Sequence, residues 1–202
     1  MQMRWHRTTE RALKARQSHR SVFSTRRVKA KKKRETMAST QVQKATSLDT
    51  QTGTQVTMIN QTSNDLRFSS SMIWSGTSRF PPIIKPNTSG MFNTTGNVNS
   101  GSSAAAIYYG KNSQGLPCAW VFAWDAPADT ETGQNPNKVY ATTGARSVID
   151  NLTFDQIQTF LSKSSAYSHD IDFVYRTKVE AQISTNEENA EVANVVGTFS
   201  LI

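Results

Sequence analysis

The sequence predicts an all-β fold: an antiparallel β-sandwich, or a barrel-like closure of one, with a single short helix and a disordered basic N-terminal segment ahead of it. Three observations carry that reading. From Thr54 onward, short β-branched and aromatic runs alternate with clusters of Gly, Pro, Asn and Ser. Only one stretch, 153–163, spaces its apolar residues at a helical period. The charge, finally, divides the chain in two: residues 1–36 hold 13 Lys or Arg against 2 Glu, whereas residues 37–202 hold 10 against 13 Asp or Glu. The net +8 of the whole chain therefore conceals a mildly acidic body. Two parts follow, a polar segment 1–53 that has too few apolar positions to build a core, and a folded β domain 54–202.

The elements follow in order. Residues 54–60 are β-branched and run into Asn-Gln-Thr-Ser-Asn-Asp, a turn composition. Leu66, Phe68, Ser70, Met72 and Trp74 alternate with Arg67, Ser69 and Ser71, which predicts a strand with one apolar face. Pro81, Pro82 and Pro86 make the next stretch a connection, and 90–95 is a weak strand before the turn cluster 96–101. Residues 104–110 and 118–124 flank Lys-Asn-Ser-Gln-Gly-Leu-Pro and form the clearest hairpin. Its second arm puts Cys118, Trp120, Phe122 and Trp124 on one face and Ala119, Val121 and Ala123 on the other, the pattern of a central strand buried on both sides. A polar loop 125–137 leads to a strand at 138–143. Thr153 with Gln156 three residues later has the capping-box form, and Phe154, Ile157, Phe160 and Leu161 supply the apolar stripe of the helix. Two last strands are expected, 171–183 and 192–202, joined by an acidic turn.

Several function classes are excluded or weakened on these grounds. A nucleic-acid footprint must lie on the folded surface, and the body is acidic, so nucleic acid is not expected to bind the domain itself. The single Cys118 and the lone histidine of the body, His169, supply no disulfide and no Cys/His metal site, and no cofactor or metal is expected. No apolar run approaches the roughly 20 residues of a membrane helix. The Asn-x-Ser/Thr triplets at Asn60, Asn87, Asn93 and Asn151 read as chance in a chain rich in Ser, Thr and Asn. Asp125, Asp129 and Glu131 lack the spacing and glycine of a calcium loop and read as solvated side chains. His169 lies among Asp170 and Asp172, but strand alternation turns the carboxylates away from the imidazole, so an enzyme built on His169 is the weakest reading and no catalytic residue is assigned. For ligand binding, aromatic rings at strand ends are the remaining signal: Trp124 beside Asp125, with Tyr109 and Trp74, are the candidate residues. Packing in the core is the competing role for Trp120 and Trp124.

The stretch Ala104–Pro127, above all Gly110-Lys-Asn through Ala123-Trp-Asp, resembles the signature of the plant 23 kDa jasmonate-induced protein family. Residues 56–62, 137–142 and 197–202 resemble that family's opening strand, the strand after its Trp segment and its ending. The resemblance implies a jasmonate- or stress-induced plant protein, intracellular, with an all-β body and no catalytic residues to carry over; the cytoplasm is the expected compartment, with the nucleus or an organelle as alternatives set by the basic N-terminus. It does not extend ahead of residue 54. On strand pattern alone the chain is also similar to aegerolysin-type sandwich proteins, which bind membrane lipids.

Together these readings predict a non-enzymatic, lectin-like stress or defence protein that binds a carbohydrate or a lipid headgroup through loops at one end of the sandwich. A second class of function rests on the basic run Arg26, Arg27, Lys29, Lys31, Lys32, Lys33 and Arg34. That run reads as a nuclear-localisation or nucleic-acid tail, as an organelle transit segment, or as sequence upstream of a true start at Met37.

Overall fold

Period-two alternation interrupted by turn clusters gives ten strands among the described residues, which are 53–128, 136–186 and 191–202 of the computed structural model. In chain order they are β1 (Gly53–Asn60), β2 (Leu66–Ser75), β3 (Ile83–Ile84), β4 (Thr88–Thr95), β5 (Ser102–Lys111), β6 (Pro117–Ala126), β7 (Lys138–Ala145), β8 (Tyr167–Asp172), β9 (Thr177–Thr185) and β10 (Val192–Leu201). Two helical segments, α1 (Arg146–Ile149) and α2 (Phe154–Ser162), separate β7 from β8. One five-stranded sheet has the order β4-β1-β10-β9-β8 and the other β3-β2-β5-β6-β7. The expected disorder of the N-terminal segment, and Asp129 and Glu131, lie outside the described residues.

The two sheets enclose an aromatic-rich core of Tyr108, Trp120, Phe122, Trp124 and Phe199, with Val56, Met58 and Leu66 around them. β6 is central, as its sequence predicts. Its alternate residues Ala119, Val121 and Ala123 face a second core formed with Ile149, Ile157 and Leu161 of the helical segments. The capping box forms as read: Thr153 Oγ1 accepts from the Gln156 amide at 3.2 Å, and Gln156 Oε1 accepts from the Thr153 amide at 2.9 Å.

Four features depart from the sequence reading. First, β1 and β10 pair in parallel, Val56 opposite Val195, so the first sheet is mixed rather than purely antiparallel. Second, β2 does not keep one apolar face. Register shifts between Phe68 and Ser70 and again between Ile73 and Ser75 move its side chains across the sheet. Leu66 and Phe68 face the inter-sheet core, while Trp74 packs against the helical side. An extra residue in one strand reverses the pleat, which simple alternation cannot anticipate. Third, the span expected to be one strand, 171–183, is a hairpin of β8 and β9 whose turn is 173–176. Fourth, the connection through Pro81, Pro82 and Pro86 contains the two-residue β3.

The flank where β7 faces β8 is closed by side chains. Edge amides invite unwanted pairing, and here they are taken up: the Ala141 amide donates to Ser168 Oγ at 3.1 Å, the Thr143 amide to Asp170 Oδ2 at 3.1 Å, and the Val139 amide to the Ser165 carbonyl at 2.9 Å. Thr142 Oγ1 adds a 2.6 Å bond to Asp170 Oδ2. This clasp gives the sandwich a barrel-like closure on one side.

Candidate functional site

At one end of the sandwich the β1–β2, β5–β6 and β8–β9 turns meet, and two asparagines, the buried Asn112 and the half-buried Asn64, hold them together. Asn112, which is buried, accepts at Oδ1 from the Gln114 and Leu116 amides at 3.0 and 2.8 Å and so shapes the β5–β6 turn from within. Its Nδ2 donates to the Tyr175 carbonyl in the β8–β9 turn at 3.1 Å. On the other side, Asn64 Nδ2 donates to the Lys111 carbonyl at 3.3 Å, joining the β1–β2 turn. Gly115 takes a positive φ of 80° in the same turn, a conformation that costs glycine nothing. Asn60 is fully buried and bonds the Asn64 and Ile84 carbonyls at 2.8 and 2.9 Å, so its triplet is unavailable to a glycan in the folded state.

These turns border an open concavity of about 380 Å³ lined by Asn64, Asp65, Arg67, Tyr109, Gly110 and Lys111. Arg67 and Tyr109 are register partners on β2 and β5, which is why a cation and a ring stand side by side. Gly110 keeps the floor low: a Cβ there would lie 2.9 Å from both Leu66 Cδ2 and Trp120 Cζ3. Asp65 draws in Arg67 at 3.4 Å and Lys85 at 3.0 Å, both pairs in solvent. The Arg146 guanidinium sits 3.8 Å from the Tyr109 ring centroid, a cation–π arrangement, while Arg146 Nε reaches Asp150 Oδ2 at 3.3 Å. The Tyr109 hydroxyl donates to Asp150 Oδ1 at 2.5 Å. The result is a polar, net-basic cleft with one oriented aromatic ring. It has hydrogen-bond donors for hydroxyl, phosphate or sulfate oxygens, and it contains no nucleophile paired with a base.

Of the four ligand-binding candidates read from the sequence, Tyr109 alone lines this cleft. Trp124 is a core residue, and that corrects its candidacy: it is 0 % exposed, its Nε1–H donates to Ser102 Oγ at 3.2 Å, and the rings of Phe80 and Phe92 lie 6.0 and 6.2 Å away. The rings from β4 and the β2–β3 connection cover the strand end that seemed open beside Asp125. Trp74 is half-buried against the helical core. Asp125 is half-buried at the opposite end of β6; burial raises its carboxyl above the ordinary value, with the Ser103 hydroxyl and the Lys138 charge opposing. Asp65, Arg67 and Lys111 were not singled out from the sequence, because nothing in it gives the register that sets Arg67 beside Tyr109.

His169 stands on the outer face of its sheet with its ring 5.7 Å from that of Tyr167. As alternation requires, its neighbouring carboxylates serve elsewhere: Asp170 in the clasp, and Asp172 Oδ1 as acceptor for the Val174 and Tyr175 amides at 2.8 and 2.9 Å. The Cys118 thiol is buried and donates to the Leu116 carbonyl at 3.3 Å, and burial raises its pKa. Among the described residues no group of three His, Cys, Asp or Glu is placed to hold a metal ion. No helix among them is long and apolar enough to cross a membrane.

No protein-family profile matches the chain. The lipid binding protein Nakanori superposes with a TM-score of 0.58 at 14% identity, covering 74% of this chain and 71% of that one, a likeness of fold. A lectin from Xerocomus chrysenteron covers 74% of this chain and 97% of its own at 14% identity, with a TM-score of 0.44. In sequence, a jasmonate-induced protein homolog from Atriplex canescens is 33% identical over 163 residues, spanning 77% of this chain and 88% of that one. The stretch from Gly110 to Asp125, on which the resemblance in the sequence centres, is the one that builds the cleft floor, the Asn112 turn and the central strand. With identity at that level across most of both chains, this protein belongs to the jasmonate-induced protein family.

Proposed function

We propose that this chain is a non-enzymatic binding protein, jasmonate- and stress-responsive in its setting, that holds a carbohydrate or a lipid headgroup in the cleft at the turn end of the sandwich. The observation that carries this is the convergence of Arg67, Lys111, Asn64 and the Tyr109 ring on one open concavity of about 380 Å³. Polar donors around an oriented ring suit a polyhydroxylated or phosphorylated group, which offers oxygens to the donors and an aliphatic face to the ring. A lipid-binding protein with the same fold supports the reading at the level of architecture. The absence of a base beside any nucleophile in the cleft favours binding over catalysis.

Glycan-array and liposome-flotation assays on the full chain test this, with Tyr109→Ala and Lys111→Glu as variants. A specific signal that falls about tenfold or more in both variants is the expected result. Silence of the wild-type protein in both assays overturns it.

For localisation the reading is cytoplasmic, with the run Arg26–Arg34 serving as a nuclear address. Fluorescent full-length protein and a form beginning at Met37 should then differ in distribution; identical distributions remove that role.

A further inference from the structure

The β8–β9 turn carries the most exposed pair of apolar side chains on the described surface: Phe173 is 77 % and Val174 81 % exposed. A pair of this kind at a loose loop tip would mean little, but this tip is built. Asp172 Oδ1 accepts the Val174 and Tyr175 amides, Tyr175 packs inward against the inter-sheet core, and its carbonyl is held by Asn112 Nδ2 at 3.1 Å. Arg176 then turns the chain with a positive φ of 54°, an uncommon conformation for a residue other than glycine. The turn is thus braced from inside while two apolar side chains are presented outward. Leu116, on the neighbouring β5–β6 turn that Asn112 ties to it, is 44 % exposed.

Charge gathers at the same end. The turns and strand ends there hold Arg67, Lys85, Lys111, Arg146 and Arg176 against Asp65, Asp150 and Asp172. The rest of the described residues carry four basic and five acidic side chains. Arg176, within the turn, and Lys111, next to the Asn112 that ties the two turns together, have no ion-pair partner among the described residues.

We propose that this end docks on an anionic lipid bilayer surface, with Phe173 and Val174 entering the interface and Lys111 and Arg176 meeting the lipid phosphates. An apolar tip at an end of the sandwich that carries more cations than carboxylates fits such a surface, because binding there grows with buried apolar area and with attraction to anionic headgroups. A protein partner is the competing occupant, but it would not require an excess of cations at the same end as the apolar pair. The inference rests on the cleft reading only in that both features face the same way; it adds the surface from which a headgroup would be presented.

The test uses the full chain with an environment-sensitive fluorophore attached through Val174→Cys and, separately, through Ser184→Cys towards the far end of β9. Cys118 is buried and stays unlabelled, which labelling of the wild-type protein checks. Vesicles are phosphatidylcholine with and without phosphatidylserine, in about 0.15 M salt, which leaves the cations at the tip effective; vesicle binding with a silent label at 174 marks attachment through the basic N-terminal segment instead. The expected result is a blue shift at position 174 on phosphatidylserine vesicles and none at 184. Phe173→Ser combined with Val174→Ser should lower vesicle partitioning about tenfold. Equal responses at both positions, no response at 174, or unchanged partitioning of the double variant overturns the proposal. So does a concentration-dependent dimer that the double variant abolishes without any vesicle binding. A glycan-array signal together with a silent label at 174 leaves the cleft reading standing and removes this one.

Discussion

Strand β6 is buried on both faces, yet its two faces are built from different material. Towards the other sheet it presents Cys118, Trp120, Phe122 and Trp124; towards the helical layer it presents Ala119, Val121 and Ala123. The spacing of the layers explains the difference. Facing sheets lie about 10 Å apart, so large side chains must fill the gap from both sides. A helix instead lowers its own side chains, here Ile157 and Leu161, onto the sheet, and the positions beneath must be small. Burial alone therefore does not mark the principal core; the volume placed on each face does.

Four substitutions break or sharpen that contrast. Phe122→Ala has the largest expected effect. Its ring lies 5.8 Å from Trp124 and 6.3 Å from Phe199, and its loss should cost about 3–5 kcal/mol in chemical denaturation. Val121→Ala, on the opposite face of the same strand, should cost about 2 kcal/mol. Equal costs for the two would show that the faces do not differ in the way their volumes suggest. Thr153→Ala removes one half of the capping box that starts α2 and should cost about 1 kcal/mol, read as a shift in the denaturation midpoint with an unchanged slope.

The smallest effect is expected at Asp125, at the end of β6. Its folded-state pKa is raised, chiefly by burial, so the folded protein binds this proton more tightly than the unfolded chain. The stability linked to it is present below the ordinary carboxylate value of 3.8 and is lost as pH rises through the raised folded value. Asp125→Asn should flatten that part of the stability profile. With solvent screening of a partly exposed group, it should add no more than a few tenths of a kcal/mol, roughly, at neutral pH. A steeper profile in the variant would contradict the assigned cause.

What could be read from the sequence was local. The hairpin of β5 and β6, the two-faced burial of β6 and the capping box each depend on residues within about twenty positions of one another, and each forms as expected. The parallel pairing of β1 with β10 joins the two ends of the domain, and no local pattern encodes it. The bulges of β2 reversed an alternation that looked regular, carrying Trp74 away from the face of Leu66. Phe173 and Val174 continued an apolar run and so hid the turn that divides β8 from β9. At the site the ring of Tyr109 was visible as a candidate, whereas its partners Arg67 and Lys111 come from register and turn geometry. Trp124 misled because a strand end in sequence need not be an open end in space: Phe80 and Phe92 arrive from elsewhere to cover it.

The place of β10 between β1 and β9 has a consequence for biosynthesis. β1 is the first strand of the domain to be made, yet the strand that joins it to β9 is the last. Until residues 192–201 leave the ribosome, β1 and β4 have only each other as antiparallel partners and nothing joins them to β8 and β9, and the aromatic face of β6 has only part of its cover, since Phe199 is still absent. Contacts this distant along the chain slow folding. The nascent domain should therefore remain sensitive to protease until synthesis passes β10 and gain its protection in one late step.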